Sequence, residues 1–361
     1  MIHGHGGNIY ALAKQLSCNP ADIIDMSSNI NPLGMPPGLR DDLKARLDLV
    51  GMLPEVDSHT MVENMAHLLE VDPQRLLAGN GTTQFIYNAC PALGSKRTLI
   101  LGPTYADYAD ACHMHGIEPH YFLLNSSEAF QADMDLLERA VTGFDTVFIC
   151  NPNNPTAGLI PVDGLQGLCR RHPETRFIID ESYLPFAPGG QSVSMAHCGL
   201  DNVIVLWSVS KIFGLPGLRA GFLIAAEAVR SAIERCMQPW CVNSLAQAAV
   251  AYLGRNRTAT REFIEQTRLY LERERYLFQE RLSSCPSLTI FPSVTSYILL
   301  ELPQSTSAHG VCDALARRRL LIRNCSNFHG LSDRFVRVAL KSGEINAMAA
   351  DLLTAVITRK E

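Results

Sequence analysis

The chain has 361 residues, 47% of them apolar and 19% charged, with a formal net charge of −5; the length suits one large domain and a smaller one, and the composition excludes a disordered or low-complexity protein. The charge is spread out, without a Lys/Arg stripe or basic tail, so no nucleic-acid partner is expected and small molecules are the expected partners. No membrane partner is expected either: no run of about 18 apolar residues and no cleavable apolar N-terminal segment is present, and eleven cysteines without a CxxC pair read as reduced core residues of a cytoplasmic protein.

Residues 1–37, rich in Gly, Asn and Pro, predict an arm rather than a packed unit, lying across a site or a partner subunit and belonging with the smaller domain. The large domain, 38–255, contains seven apolar runs alternating with helix-like stretches: RLLAGN, RTLILGP, EPHYFLL, DTVFICNP, TRFIIDES, NVIVLWS and AGFLIAA. These predict an α/β fold with a mostly parallel seven-stranded sheet covered by helices. A second α/β domain over 256–361 is predicted from a charged helix near 258–284, strands near 288–291 and 296–302, a helix, strands near 320–323 and 335–340, and a final helix.

Ligands of such sheets sit beyond the carboxyl ends of the strands. The segments there are polar: Gly79-Asn80-Gly81-Thr82-Thr83, Pro103-Thr104-Tyr105, Asn151 to Thr156, Asp180-Glu181-Ser182-Tyr183 and Ser208-Val209-Ser210-Lys211. Gly81, Thr82 and Thr83 predict the cap of a helix beginning near Gln84, whose N–H groups and dipole suit a phosphate. A plain loop is the alternative. Lys211 is one of six lysines and follows an apolar run, while Gly214, Pro216 and Gly217 prevent a regular helix after it. An amine beside a strand end in apolar company is a candidate for a depressed pKa and nucleophilicity; a solvated turn lysine is the other reading. No metal site is expected.

The segment Ser208-x-Ser210-Lys211-x-Phe213-x-x-x-Gly217-Leu218-Arg219-x-Gly221-Phe222 resembles the Schiff-base lysine motif of the fold-type I, aspartate aminotransferase-like superfamily. The resemblance implies the fold-type I transferase fold with pyridoxal 5'-phosphate as cofactor. It implies that Lys211 holds the cofactor, and that Ser208, Ser210 and Arg219 bind its phosphate; hydroxyl donors and an arginine fork suit a dianion. It also implies that Asp180 pairs with the pyridinium nitrogen, that Tyr183 and Asn154 bond the phenolic oxygen, and that Tyr105 stacks on the ring. Tyr108 is near enough in sequence to take that stacking role instead. Each of these residues alone has a structural reading as a cap, a core tyrosine or a loop amide.

Further stretches narrow the resemblance: His5-Gly6-Gly7-Asn8-Ile9, Ser28-Asn29-Ile30-Asn31-Pro32-Leu33-Gly34-Met35-Pro36, Pro239 to Ala246, and Leu321 to Cys325. Over the whole chain these resemble the L-threonine-O-3-phosphate decarboxylases of cobalamin biosynthesis, which are related to histidinol-phosphate aminotransferases. That likeness implies an amino acid phosphate as substrate and a homodimer, with His5 and Arg323 at the substrate phosphate and Arg337 at the carboxylate. Gly34 and Asn154 complete the implied substrate contacts. Transamination remains the alternative, because the motifs do not determine which Cα bond breaks.

Three departures from the family pattern stand out. Gly51-Met52-Leu53-Pro54 replaces an Arg-Tyr-Pro whose tyrosine reaches the neighbouring subunit's cofactor phosphate, so that contact is lost or falls to a residue such as Ser58 or Thr60. The phosphate loop reads Gly-Thr-Thr-Gln instead of Gly-Glu-Thr-Glu, and Ala157-Gly158 replaces a single Gly, changes that make L-serine phosphate a second substrate to consider. Ser208-x-x-Lys211 also satisfies the S-x-x-K pattern of penicillin-binding enzymes, but the glycines and proline that follow leave no helix to align the pair. A transcription regulator with an aminotransferase-like domain would need an N-terminal winged-helix domain for which the chain has no room.

Overall fold

The apolar runs become strands because most are buried on both faces, which a parallel sheet covered by helices requires. The computed structural model describes residues 6–358. In chain order its strands are β1 (Ile24–Asp25), β2 (Leu76–Gly79), β3 (Thr98–Gly102), β4 (His120–Leu123), β5 (Thr146–Cys150), β6 (Arg176–Asp180), β7 (Val203–Ser208), β8 (Gly221–Ile224), β9 (Thr289–Ile290), β10 (Tyr297–Glu301), β11 (Leu320–Leu321), β12 (Arg323–Asn324) and β13 (Phe335–Ala339).

The seven-stranded sheet has the order β2-β8-β7-β6-β5-β3-β4. Every pair is parallel except those made by β8, which runs antiparallel to both β2 and β7. Two reversals cancel, so β2 ends on the same edge as β3, β5, β6 and β7. The start of β8 also lies there, with Gly221 opposite both Ser208 and Gly79. Gly79, Gly102, Cys150, Asp180, Ser208 and the approach to Gly221 therefore share one edge. The sequence expectation of a mostly parallel α/β fold is realised.

The helix after β2 spans Gly81–Leu93, so it starts three residues before the expected Gln84; Gly81 itself adopts φ +72. Ser208 caps the single-turn helix Val209–Ile212, its Oγ accepting from Ser210 N at 3.2 Å. Gly214 then turns the chain at φ +63, where a Cβ would fall 2.7 Å from the Gly34 carbonyl oxygen.

A second sheet has the order β12-β13-β10-β9 and is antiparallel throughout. The strand expected near 320–323 is split at Ile322: β11 pairs in parallel with β1 from the N-terminal arm, while β12 pairs with β13. The arm is also more than an arm. It carries the helix Ile9–Leu16, whose Leu12 and Ala13 are buried with Ile23 and packed by Ala316 and Leu321. The long helix runs Arg257–Leu282 and the last one Gly343–Thr358. Among the described residues no helix is long and apolar enough to cross a membrane.

Candidate active site

The shared sheet edge, the arm and the second sheet enclose a cavity of about 340 Å³, within the usual range for small-ligand sites. Lys211 lines it from the turn after β7. Its pKa is pulled down to about 8, chiefly by burial and further by the Arg337 and Arg219 charges, with Asp180 opposing. A lysine in that range is partly a neutral amine near neutral pH, which a nucleophile requires. Its carbonyl accepts from Asn31 N at 3.1 Å, tying the turn to the arm.

Asp180, at the end of β6, is 5% exposed. Tyr108 Oη donates to its Oδ2 at 2.9 Å and Ser182 N to its Oδ1 at 2.9 Å. Burial pushes the carboxyl up, against those donors and the Lys211 charge. Tyr108 is itself buried, stacked on Phe148 with centroids 5.2 Å apart. It therefore supports Asp180 and has one ring face against Phe148, while lining the cavity together with Tyr105. Tyr105 Oη donates to Asp107 Oδ2 at 2.7 Å, and burial pushes its phenol up.

The opposite corner is an anion cradle. Gly81, Thr82 and Thr83 form the first turn of their helix, and Ser208, Ser210 and Arg219 face the same space. A Cβ on Gly81 would fall 2.6 Å from Arg219 Nη2, and one on Gly221 would fall 2.5 Å from Thr82 N. Both positions need glycine so that strand, helix and guanidinium can converge. Helix N–H groups, two hydroxyls and a guanidinium make a donor set suited to a phosphate.

At the far side Arg323 and Arg337 sit opposite each other in the β12–β13 register, and both line the cavity. Arg337 is 4% exposed; its Nη1 donates to Asn154 Oδ1 and its Nη2 to the Ser27 carbonyl at 2.7 Å. Its Nε has no partner among the described residues, and its guanidinium lies 5.1 Å from the Tyr297 ring centroid. Among the described residues neither arginine has an acidic partner within salt-bridge distance. Burying a cation without a counter-charge is expensive, so this wall is built to receive anions. Tyr183 Oη accepts from Asn29 Nδ2 at 3.0 Å, while Asn29 Oδ1 is buried without a partner among the described residues.

The cavity thus gathers Gly81, Thr82, Thr83, Tyr105, Asn154, Asp180, Tyr183, Ser208, Ser210, Lys211, Arg219, Arg323 and Arg337. Gly34 is not among its lining residues; its backbone packs against Gly214. His5 lies outside the described residues, although the neighbouring Gly6 lines the cavity, where a Cβ would come 3.4 Å from Arg323 Cδ. Leu53 is 76% exposed. Ser58 Oγ accepts from Gln247 at 3.0 Å and Thr60 Oγ1 donates to Glu55 at 2.6 Å, so both suggested replacements are already engaged within the chain.

Sequence reasoning passed over several cavity residues. Ser27, Ser28 and Asn29 reach it from the arm, organised by Asp25, whose Oδ1 accepts from Ser27 N at 2.8 Å and Ser27 Oγ at 2.7 Å. Their signal was the Ser28–Asn29 stretch, used for resemblance alone. Asn327 and Phe328 carried no signal at all.

A family model described as aminotransferase class I and II matches residues 21–354. The threonine-phosphate decarboxylase of Salmonella typhimurium is 32% identical over 358 residues, 98% of this chain and 96% of that protein. The crystal structure of L-threonine-O-3-phosphate decarboxylase from Porphyromonas gingivalis matches with a TM-score of 0.82 and 27% identity, covering 92% of this chain and 99% of that one. Histidinol-phosphate aminotransferase from Clostridium acetobutylicum matches with a TM-score of 0.84 and 27% identity, over 92% and 98% of the two chains.

Proposed function

The chain belongs to the class I and II aminotransferase family, and from that premise we propose that it decarboxylates L-threonine O-3-phosphate to (R)-1-amino-2-propanol O-2-phosphate in cobamide biosynthesis, with pyridoxal 5'-phosphate as cofactor. The observation that carries this reading is the pair Arg323, half-buried, and Arg337, buried, both lining the cavity with Lys211 and without acidic partners among the described residues. A substrate with a carboxylate and a phosphate supplies the two missing charges.

When bound, pyridoxal 5'-phosphate supplies an electron sink for the bond broken at the substrate Cα. The chain's residues supply the rest. Thr82, Thr83, Ser208, Ser210 and Arg219 hold a phosphate at one end of the cavity. Asp180, kept in place by Tyr108 and Ser182, would keep a proton on the ring nitrogen. Tyr105 offers a flat face, and Tyr183 and Asn154 offer polar groups to the phenolic oxygen. Lys211 Nζ would hold the cofactor and would be the acid that returns a proton to the substrate Cα. Arg337 takes the carboxylate side, while Arg323, with His5, takes the phosphate side. By gripping the substrate's two anionic groups, the arginines are the residues that would orient the bonds at its Cα.

The finer organisation follows the same reading. Residues 1–37 belong with the smaller domain 256–361, beside a cofactor-binding domain of 38–255. The working unit is a homodimer, supported by the exposed apolar side chains of Leu47, Val50, Met52, Leu53 and Val56 in one short segment. The cytoplasm is the compartment, supported by eleven cysteines without a disulfide.

The test incubates purified enzyme with L-threonine phosphate, L-serine phosphate or L-histidinol phosphate, with and without 2-oxoglutarate, and follows carbon dioxide and glutamate. Carbon dioxide release from L-threonine phosphate without 2-oxoglutarate is expected. Glutamate without carbon dioxide would replace this reading with an aminotransferase.

A further inference from the structure

Arg323 stands on β12, the edge strand of the second sheet, and an edge arginine would ordinarily sweep through many rotamers. Here the turn that follows holds it. Asn324 Oδ1 accepts from Ser326 N at 2.9 Å, and Phe328 N donates to the Cys325 carbonyl at 3.0 Å, closing a tight turn. That turn returns two side chains to the guanidinium. Arg323 Nη2 donates to Asn327 Oδ1 at 2.7 Å, and the guanidinium carbon lies 5.0 Å from the Phe328 ring centroid.

The far end of the turn is anchored on the other sheet. His329 stacks on Tyr121 of β4, with centroids 4.1 Å apart and planes 27° from parallel. Gly330, at φ +91, passes so close to Leu123 of the same strand that a Cβ would fall 2.8 Å from its Cδ2. Since β4 is the edge of the seven-stranded sheet, residues 325–330 form a clasp joining the edges of both sheets beside the cavity.

Arg323 Nη1 also donates to the Asn324 carbonyl, and the chemistry of all three fastenings is informative, because none carries a charge. An amide oxygen and an aromatic face both fix a guanidinium without neutralising it. A carboxylate at either place would fix it equally well and cancel the charge that an incoming anion needs. From this the geometry points to Asn327, Phe328 and His329 as positioning residues that keep Arg323 oriented and uncompensated, and so set the preference for a substrate bearing a phosphate. This rests on the reading of Arg323 as the phosphate-side residue.

Steady-state kinetics with L-threonine phosphate, and competitive inhibition by inorganic phosphate, test it on the holoenzyme. Asn327→Ala is expected to raise KM about tenfold and weaken phosphate inhibition in proportion, with kcat and bound-cofactor absorbance near those of the parent. Asn327→Asp, which keeps the hydrogen bond but adds the counter-charge, is expected to be worse than Asn327→Ala. A merely structural role predicts the reverse order. His329→Ala is expected to raise KM about threefold, and His329→Phe, which restores the ring stack, to return it. Parent-like KM and phosphate inhibition in Asn327→Ala and His329→Ala would overturn the clasp, and so would an Asn327→Asp enzyme that outperforms Asn327→Ala. Arg323→Ala separates the two readings: if it leaves KM unchanged, the phosphate-side assignment of Arg323 falls and the clasp with it. If it raises KM while the clasp variants do nothing, the clasp alone falls.

Discussion

The two ends of the cavity are built in opposite ways. At the end proposed for the cofactor, Gly81, Thr82 and Thr83 are consecutive, Ser208, Ser210 and Lys211 lie within one turn, and Arg219 follows eight residues on. Each group reaches its place because a strand has just ended. At the substrate end, Arg323 and Arg337 meet only through strand register, Ser27 arrives from the arm to hold Arg337, and Asn327 arrives from a turn anchored on another sheet. A local end is specified by short segments and tolerates change elsewhere. A composite end depends on three parts of the chain docking together, which lets its anion preference change while the cofactor end stays intact.

Variants that separate the ends test this contrast. The largest loss is expected for Lys211→Ala, about ten-thousand-fold in kcat, together with loss of the visible absorbance of lysine-bound cofactor; persistence of that absorbance would refute the central role of Lys211. Asp180→Asn removes the carboxylate expected to keep the ring nitrogen protonated and should lower kcat about a hundredfold or more with little change in KM, read from the same assays.

A matched pair divides the ends directly. Arg219→Ala should weaken cofactor binding about a hundredfold in equilibrium dialysis, whereas Arg337→Ala should leave cofactor binding alone and raise KM for L-threonine phosphate by a similar factor. Equal effects of both variants on both quantities would mean that the ends are not separate.

The smallest effect concerns their electrostatic coupling. Capture of cofactor by the apo-protein should accelerate as pH rises through about 8, where the Lys211 ammonium loses its proton. Because burial depresses the folded-state value, the cost of holding that charge is full below about 8 and is relieved as pH rises toward 10.5, so apo-protein stability gains from this group over that window. Removing the Arg337 charge in Arg337→Gln should move the capture midpoint upward, since Arg337 is among the groups that lower the Lys211 value. A downward move in stopped-flow absorbance would contradict the coupling.

Legibility in the sequence followed the same division. Strand ends are marked by a switch from β-branched runs to Gly, Asn, Asp and Ser, so Asp180 and Lys211 could be located as strand-end residues, and Arg219 through the motif that follows Lys211. The different settings of Tyr105 and Tyr108 could not be read this way, because they depend on which ring packs on Phe148 and which hydroxyl reaches Asp180. The helix start at Gly81 was missed because a glycine at positive φ reads as loop until Arg219 is seen against it. Gly34 lies in a recognisable stretch, yet its contact is with Gly214 and not with the cavity. The split of the 320–323 segment was hidden because neighbouring residues pair with different sheets, and strand propensity carries no partner information.

By itself the sequence determined the α/β class and the polar edge of the large sheet, because period and turn chemistry are local quantities, and its motif resemblance supplied the residues expected to hold the cofactor. The placement of Arg323 and Arg337 on neighbouring strands was also legible; only the tertiary structure decided that they lack acidic partners among the described residues, that the arm organises Arg337 through Ser27, and that residues 325–330 clasp two sheets around Arg323. The arm and the clasp are outcomes of docking between segments about two hundred or more residues apart, and the absence of a counter-charge is a property of the assembled surroundings, which no single segment contains.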